Sequence, residues 1–371
     1  MKILLLSAYD AASHRYWHQG LVSNLNQHQW TVLTLPPRYF SWRIRGNSLS
    51  WAMNERETLE QPYDLIIATS MTDLSALRGF VPHLASIPTL VYFHENQFAY
   101  PESGREYGNV EPKILNIYTA LAADHICFNT AYNRNTFLDG CRALLKKLPD
   151  QVPAGVVEQL EERSSVLQVP LPSSAYLPHK PQPGPVRLIW NHRWEYDKGP
   201  QLLLSAVEGL IAAGVDFRLD LVGQQFRKLP APFETLKTLL ADQEGHWGFV
   251  ESVAEYRRLL QQADIVLSTA LHDFQGIAVL EGAAAGALPL VPNRLAYPEL
   301  FPAGCCYCDE GDETQHLVAA VVRFAKAKQQ GQLAVAPDLS ALSWPQMSVP
   351  YECLLNRVAN LCGSDSQQFN A

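Results

Sequence analysis

Short apolar segments alternate with segments of helical spacing along most of this 371-residue chain. Alternation of this kind is typical of α/β domains, in which crossover helices join parallel strands that are apolar on both faces. The predicted strands of the first half are Lys2–Ser7, Trp30–Leu35, Leu65–Thr69, Thr89–His94 and His125–Asn129. Those of the second half are Val186–Trp190, Arg218–Val222, Trp247–Val250, Ile265–Ser268 and Leu288–Val291. The pattern therefore predicts two Rossmann-like domains.

A proline-rich stretch separates the two halves. Six prolines lie between Val169 and Pro185, and proline is excluded from helix interiors and central strands. We therefore expect one domain at 1–175 and a second at 186–345. The segment 346–371 begins with apolar residues at helical spacing, which predicts a helix that either ends the second domain or crosses back to the first. Because doubly wound sheets bind ligands at the carboxyl ends of their strands, both domains should face a central cleft.

Two motifs in the second half carry the clearest chemistry. Seven residues separate Asp273 from Glu281, around a turn centred on Gly276, so the first acid is expected in a loop and the second in a helix. The N-terminus of that helix would offer N–H groups to hydroxyls or phosphate. Arg193 and Lys198 follow a predicted strand and would neutralise a diphosphate. Either motif alone also fits an ordinary solvated loop, but together they predict a nucleotide-sugar site.

Paired carboxylates are also typical of glycoside hydrolases, although a hydrolase has no need of the Arg/Lys pair. In the first half, Ser13 and His14 follow the first predicted strand, and His94 follows the fourth. An imidazole at such a position could meet a sugar hydroxyl or a developing charge. The alternative is a hydrogen-bonded structural histidine.

The seven cysteines form no CxxC pair with histidine partners, which disfavours a zinc site or a disulfide framework and favours a reducing cytoplasm. Cys305, Cys306 and Cys308 could form a metal or redox site, but neighbouring residues on a strand face opposite sides, so a plain strand is the better interpretation. The apolar start of the chain ends at Ser7 and is too short for a signal peptide or a membrane span. We expect a cytoplasmic protein without a membrane partner.

Charge bears on whether the partner is a nucleic acid. The chain has a formal net charge of −8, of which −1 belongs to residues 1–184 and −7 to the remainder. This balance disfavours general RNA affinity. Within the first half, however, Arg38–Arg45 interleaves cations with aromatic residues, a composition suited to the unstacked bases of a single-stranded RNA loop. The alternative is an ordinary loop that the aromatic residues anchor.

The set Arg193, Lys198, Asp273 and Glu281 on a two-domain α/β chain resembles the retaining glycosyltransferases of family 4, which have the GT-B architecture. In that family the Arg/Lys pair holds the donor diphosphate, the first acid and the turn hold the sugar, and the second acid holds the ribose. Further segments resemble the tRNA-queuosine mannosyltransferases: Thr34–Pro37, Trp42–Arg45, Tyr92–Gln97, His192–Glu195 and Tyr297–Pro302. The chain departs from that family at Ala11 and Ala12, where two glycines are usual, and at Asp273, where glutamate is usual.

The resemblance implies a retaining, metal-independent transfer of mannose from GDP-mannose to the cyclopentenediol of queuosine at the wobble position of tRNA(Asp), with no cofactor. No protein nucleophile takes part, because the leaving phosphate itself accepts the proton of the acceptor hydroxyl. The implied catalytic residues are His94, Arg193, Lys198 and Asp273. Donor binding is expected from Arg193, Lys198, Asp273, Phe274, Gln275, Gly276, Ile277, Ala278 and Glu281. Acceptor binding is expected from Ser13, His14, Arg38, Trp42, Arg43, Arg45, Asn96 and Gln97.

Two other functions remain open at this level. The same enzyme class could act on a lipid or a small molecule, although the first half shows no basic or apolar amphipathic face suited to a membrane acceptor. The chain could also bind a sugar nucleotide without turning it over, which the substitutions at Ala11, Ala12 and Asp273 would motivate.

Overall fold

The computed structural model describes residues 1–100, 110–241 and 245–361, which form two compact α/β units. The first unit contains the chain up to Pro170 and again from Trp344 onwards, and the second is Leu171–Ser343. The predicted boundaries at 175, 186 and 346 therefore differ from the observed ones. Leu171 pairs through its backbone with Ser343 and lies in the core of the second unit, so the proline-rich stretch belongs to that unit. The end of the predicted segment 346–371 lies outside the described residues.

The first unit contains one parallel sheet with strand order β2-β1-β3-β4-β5-β6. Its strands are β1 Lys2–Ser7, β2 Gln29–Thr34, β3 Leu65–Thr69, β4 Thr89–Phe93, β5 His125–Phe128 and β6 Ser164–Val166. Its helices before the second unit are α1 Ala12–Asn24, α2 Phe40–Asn54, α3 Arg56–Leu59, α4 Leu74–Phe80, α5 Glu111–Leu121, α6 Ala131–Leu145 and α7 Val156–Glu162. The order reverses between β1 and β3, so the loop after β1 leaves the sheet at a topological switch point.

The second unit repeats the architecture with strand order β12-β11-β10-β7-β8-β9, the dinucleotide-binding order of Rossmann folds. Its strands are β7 Val186–Trp190, β8 Phe217–Val222, β9 Trp247–Gly248, β10 Ile265–Leu267, β11 Leu288–Pro292 and β12 Cys306–Tyr307. Its helices are α8 Pro200–Ala212, α9 Pro232–Leu239, α10 Val253–Gln262, α11 Ile277–Ala284, α12 Tyr297–Leu300 and α13 Glu313–Gln329. Here the switch point lies between β7 and β10.

The last helix, α14, spans Trp344–Ala359 and packs against α1, β3 and β4 of the first unit. Trp344 lies against Gly20 of α1, where an added Cβ would come within 2.1 Å of the indole ring. Tyr351 accepts a hydrogen bond from the indole N–H of Trp17 at 3.0 Å. The chain therefore returns to its first unit after completing the second.

The α/β class with two Rossmann-like units is confirmed, and each predicted strand has its observed counterpart within two residues at either end. Two elements differ from the sequence expectation. The strand β6, with the sequence Ser-Ser-Val, was not predicted because it is short, polar and half-exposed at the sheet edge. The segment around Arg38–Arg45 is not a loop, because α2 begins at Phe40.

No helix within 1–100, 110–241 and 245–361 combines the length and the apolar composition that crossing a bilayer requires. In the same ranges no three metal-ligating side chains converge, and this includes Cys305, Cys306 and Cys308. The plain strand that the sequence favoured is present only at Cys306, on the short strand β12, since Cys305 lies in a 3-10 turn before it and Cys308 follows it.

Candidate functional site

The carboxyl ends of β7 and β10 form the centre of the candidate site in the second unit. The two strands are neighbours, and their next strands lie on opposite sides, which is where doubly wound sheets bind ligands. The backbone N–H groups of Leu271 and His272 donate to the carbonyl oxygen of Asp197, at 2.9 and 3.1 Å. Gly199 permits this approach of the two loops, because a Cβ there would lie 2.0 Å from the carbonyl oxygen of Thr269.

Lys198 is buried where these loops meet. Its ammonium group donates to the carbonyl oxygen of His272 at 2.7 Å and to Oδ2 of Asp273 at 3.3 Å. It also lies 3.3 Å from Oδ2 of Asp197. Three oxygen atoms therefore lie within 3.3 Å of the ammonium nitrogen, and two of them accept its hydrogen bonds. Lys198 is therefore a buried charge that fixes Asp273, and its expected contact with a diphosphate stays a prediction.

Asp273 precedes the turn into α11. Its Oδ1 accepts a hydrogen bond from the N–H of Gly276 at 2.8 Å, and its Oδ2 faces Lys198. Burial by itself raises the pKa of Asp273, but the charge of Lys198 and the Gly276 amide outweigh burial and lower the pKa to about 2. Asp273 is therefore ionised at neutral pH.

Arg193 is the solvent-facing cation of the same loop, with 48% of its side chain exposed. Its Nη1 pairs with Oε2 of Glu195 at 2.8 Å, and its Nη2 lies 3.9 Å from Asp197. Burial raises the pKa of Glu195, and the charge of Arg193 opposes that rise. A planar guanidinium at this position can bind two phosphate oxygens at once.

The turn between Asp273 and α11 has the left-handed conformation that glycine favours. Gly276 has a φ of 68°, and an added Cβ would lie 2.7 Å from the ring of Tyr297. Phe274 and Gln275 are buried, whereas Ile277 and Ala278 are half-buried in the first helical turn. Amide groups of a first helical turn have no carbonyl partner within the helix, so this turn can bind an anion.

Glu281 is the fifth residue of α11 and is half-buried. Its Oε2 accepts a hydrogen bond from the hydroxyl of Tyr256 at 3.1 Å. The same hydroxyl accepts one from the amide of Asn191 at 3.0 Å. Burial raises the pKa of Glu281, and the bond from Tyr256 opposes that rise. The structure therefore brings Arg193, Lys198 and Asp273 into one network and gives Glu281 a separate polar environment.

The candidate site of the first unit centres on two stacked histidines. The rings of His14 and His94 lie 4.3 Å apart at an interplanar angle of 26°. His14 Nε2 lies 3.1 Å from Oε2 of Glu95, and His18 Nε2 lies 3.1 Å from Oδ1 of Asp10. Burial lowers the pKa of His94 well below its usual range, and a charge on His14 lowers it further. Burial also lowers that of His14, but Glu95 outweighs burial and the pKa is raised.

An aromatic cage supports these imidazoles. Trp17 stacks on Tyr92 at 4.3 Å and presents its edge to His94 at 4.8 Å. Tyr92 in turn lies 4.8 Å from His94 and accepts a hydrogen bond from the hydroxyl of Tyr351 at 3.2 Å. The helix α14 therefore contributes to the surroundings of His94.

The other polar residues predicted to contact the acceptor differ in their availability. Asn96 is fully buried, and its side chain is saturated by contacts to Asn133, Thr136 and the amides of residues 98 and 99. The side chain therefore holds the loop after β4 together, and its expected contact with the acceptor substrate stays a prediction. Gln97 is half-buried and donates to the sulfur of Met71, at 3.6 Å. Ser13 is exposed in the first turn of α1, which follows β1.

The segment Arg38–Arg45, in which cations alternate with aromatic residues, contains exposed side chains and side chains that are buried or already paired. Arg38 is exposed, and Trp42 is 54% exposed with its indole lying against Gly46. Arg43, in contrast, is buried, and Arg45 pairs with Asp73 at 2.8 Å and with Glu111 at 3.1 Å. Arg43 lies on the inward face of α2, so its expected contact with the acceptor substrate stays a prediction that its burial does not favour.

Buried neutral histidines make the stability of the fold acid-sensitive. Burial lowers the pKa of His125 and of His192 to about 4. Both groups take up protons near pH 6.5 when unfolded, so each contributes stability that is complete above that pH and is lost as the pH falls towards 4. The expected loss is about 1.4 kcal/mol per imidazole and pH unit.

We therefore expect the urea concentration at the midpoint of denaturation to decrease as the pH is lowered from 7 to 5. His125→Asn should flatten this dependence for the first unit, whereas the matched change His83→Asn, at an exposed position, should leave it unchanged. Equal slopes for all three proteins would contradict the assignment.

Several residues of the two sites were not singled out by sequence. Asp197 and Glu195 lie inside the motif that contains Arg193 and Lys198, so an acid-rich loop after a strand was an available signal. Asp10 and His18 flank His14 at the spacing of one helix face. Tyr256 carries no local signal, because its contact with Glu281 depends on how α10 and α11 pack.

Comparisons with known proteins identify the family and the fold of this chain. Residues 2–171 match the family model described as tRNA-queuosine alpha-mannosyltransferase N-terminal, and residues 186–327 match that for glycosyl transferases group 1. Anabaena Alr3699/HepE, solved in complex with UDP and glucose, has a TM-score of 0.68 and 13% sequence identity, covering 96% of this chain and 100% of its own. That likeness concerns the fold.

Two relatives share sequence more directly. A GDP-mannose-dependent alpha-(1-6)-phosphatidylinositol dimannoside mannosyltransferase of Mycobacterium tuberculosis is 29% identical over 39% of this chain and 37% of its own length. The tRNA-queuosine alpha-mannosyltransferase of Drosophila melanogaster is 33% identical over 81% of each chain. The resemblance seen in the motifs is confirmed, and this chain belongs to the tRNA-queuosine alpha-mannosyltransferase family.

Proposed function

We propose that this protein transfers mannose from GDP-mannose to the cyclopentenediol of queuosine at the wobble position of tRNA(Asp), with retention of configuration. The observation that carries the donor half is the network at the switch point of the second unit. There an exposed guanidinium, a buried lysine–aspartate pair and the first turn of α11 stand at the carboxyl ends of β7 and β10. Family membership supports the acceptor.

In the donor site, Arg193 binds the diphosphate and stabilises the charge that develops as it departs. The amides around Gly276, Ile277 and Ala278 contribute partial positive charge to the same oxygens. Lys198 acts one step back, because it holds Asp273 ionised and in place for the sugar hydroxyls. Phe274 and Gln275 shape the turn from its buried side. Glu281 accepts hydrogen bonds from the ribose.

In the acceptor site, burial favours the neutral imidazole of His94, which stacks on His14, and Glu95 raises the pKa of His14. A neutral imidazole can accept a hydrogen bond from a sugar or cyclopentenediol hydroxyl, and a charge on His14 disfavours full protonation. The departing phosphate takes the proton of the acceptor hydroxyl, so the reaction calls for no cofactor or metal ion. Ser13 and Gln97 are close enough in sequence to His14 and His94 to hold the acceptor beside them.

The exposed residues Arg38 and Trp42 are the best candidates to bind the anticodon loop. An indole that is half-exposed and backed by Gly46 offers a flat face to an unstacked base, and a neighbouring guanidinium attracts phosphate. Arg45 contributes less, because Asp73 and Glu111 already offset its charge. A tRNA substrate implies a cytoplasmic enzyme.

The test is to incubate the purified protein with GDP-mannose and queuosine-containing tRNA(Asp), digest the tRNA and measure queuosine by mass spectrometry. We expect a hexose on queuosine that α-mannosidase removes, since retention preserves the α configuration of the donor. Unmodified tRNA(Asp) with guanosine at the wobble position is the matched acceptor control. Hexose on that control tRNA would contradict queuosine as the acceptor. The absence of hexose on queuosine, in a protein that still binds the nucleotide, would contradict it as well.

A further inference from the structure

We propose that Asn191 and Tyr256 are positioning residues of the donor site, which hold Glu281 in the orientation that recognises the ribose hydroxyls of the donor nucleotide. The proposal rests on the proposed function, in which Glu281 binds the ribose. Its basis is a chain of hydrogen bonds that joins three elements of the second unit at the switch point of the sheet. These elements are the end of β7, the helix α10 and the helix α11.

The donors in this series of hydrogen bonds follow one direction, from Asn191 through Tyr256 to Glu281. The amide Nδ2 of Asn191 donates to the hydroxyl oxygen of Tyr256 at 3.0 Å. An amide NH₂ carries only donors and a phenol carries a single proton, so the Tyr256 proton must point elsewhere. It points to Oε2 of Glu281, 3.1 Å away. Asn191 therefore decides where Tyr256 donates.

Asn191 also secures the helix that carries Glu281. Its Nδ2 donates to the carbonyl oxygen of Ala278 in the first turn of α11, at 2.7 Å. A single buried amide thus fixes both the start of the helix and the hydrogen bond to the carboxylate. Asn191 follows directly on β7, which is a central strand of the sheet, so its backbone is well anchored.

The bond from Tyr256 constrains the rotation of the carboxylate. With Oε2 held, the position of Oε1 relative to the helix is also set, and a pair of vicinal hydroxyls meets an acceptor that is already oriented. The bond has a second effect. Burial raises the pKa of Glu281 and Tyr256 opposes that rise, so the hydroxyl helps to keep the carboxylate in its accepting, ionised form.

This arrangement predicts a loss of ribose recognition on removing one hydroxyl. In Tyr256→Phe, we expect the affinity for GDP to fall about tenfold, the scale of one hydrogen bond to a charged group, while the affinity for 2′,3′-dideoxy-GDP stays unchanged. Both affinities are measured by isothermal titration calorimetry on the full chain, without acceptor. The UDP pair is titrated in parallel, because the ribose is common to both nucleotides.

Three further variants separate positioning from general damage. Tyr176→Phe is the matched control, since it removes another hydroxyl of the same unit, which donates to the carbonyl oxygen of Leu339 at 2.8 Å. Asn191→Asp keeps the tyrosine but gives its proton a competing acceptor, so it should lose ribose recognition like Tyr256→Phe. In a Glu281→Gln background, Tyr256→Phe should cause no further loss.

The ratio of ribonucleotide to dideoxynucleotide affinity decides the outcome. The proposal stands if the ratio falls in Tyr256→Phe and in Asn191→Asp but is retained in Tyr176→Phe. It is overturned if the ratio is unchanged, if both ligands weaken equally, or if neither GDP nor UDP binds the unmodified protein. Because the titrations contain no acceptor, an error in the proposed acceptor would leave the ratio intact and would be recognised separately.

Discussion

Arg193→Ala is expected to lower the rate constant of mannosyl transfer by a factor of about 10² to 10³, with almost no change in stability. The loss corresponds to about 3–4 kcal/mol of transition-state stabilisation, by analogy with the removal of one donor from an oxyanion-binding site. Stability should be spared because the guanidinium is 48% exposed and its pair with Glu195 is a surface ion pair. Initial rates with GDP-mannose and queuosine-containing tRNA, together with a thermal melt, measure both quantities.

Two companions sharpen this experiment. Arg323→Ala removes an exposed arginine from α13 of the same unit and should retain full activity. Arg193→Lys keeps the charge but loses the planar fork, so its rate should lie between those of the alanine variant and the unmodified protein. A rate for Arg193→Ala equal to that of Arg323→Ala would show that this guanidinium does not act on the departing diphosphate.

Lys198→Ala is expected to destabilise the second unit by about 3–5 kcal/mol, as well as to abolish transfer. The ammonium group is buried between Asp197 and Asp273, and its removal would leave two carboxylates close together without their cation. A loss of that size lowers the melting temperature of a unit of this length by on the order of 10 °C. The expected loss of stability comes from the two acids that remain without a neighbouring cation.

A variant that also removes one of these acids is therefore the control. Adding Asp273→Asn to Lys198→Ala removes one of the uncompensated charges, so the double variant should be more stable than Lys198→Ala alone. The penalty of Lys198→Ala should also shrink from pH 8 to pH 5, since without the lysine the acids take up protons more readily. Additive losses that are independent of pH would mean that Lys198 acts through packing instead.

The strands could be predicted because buried parallel strands are continuous apolar runs that need no partner to be recognised. The helix α2 could not, because two of its inward positions are Asn47 and Ser48 where apolar residues would have revealed the spacing. The buried amide of Asn47 is satisfied by hydrogen bonds that it donates to backbone carbonyl oxygens, and these oxygens are within reach only in the folded chain. The inward direction of Arg43 follows from the same helix and was hidden for the same reason.

The donor residues were predictable to the extent that they share short segments. Asp273 and Glu281 lie on one turn and helix, so their spacing was informative, and Arg193 and Lys198 lie in one loop. The sequence does not reveal that Lys198 is already surrounded by oxygen atoms, because that depends on two loops meeting at the switch point. Asn96 illustrates the converse, since an asparagine after a strand fits both a ligand contact and a saturated structural network.

Because α14 packs on the first unit, that unit can be completed only after α14 has been synthesised. Trp17 and Tyr92 are buried only once Tyr351 and Trp344 have been made, and the whole second unit is translated before them. At about 5–20 residues per second, the 173 residues of Leu171–Ser343 take roughly 10–35 s. During that interval the first sheet has an uncovered aromatic surface. The aromatic surface of the first unit is therefore covered only after the whole second unit has been translated.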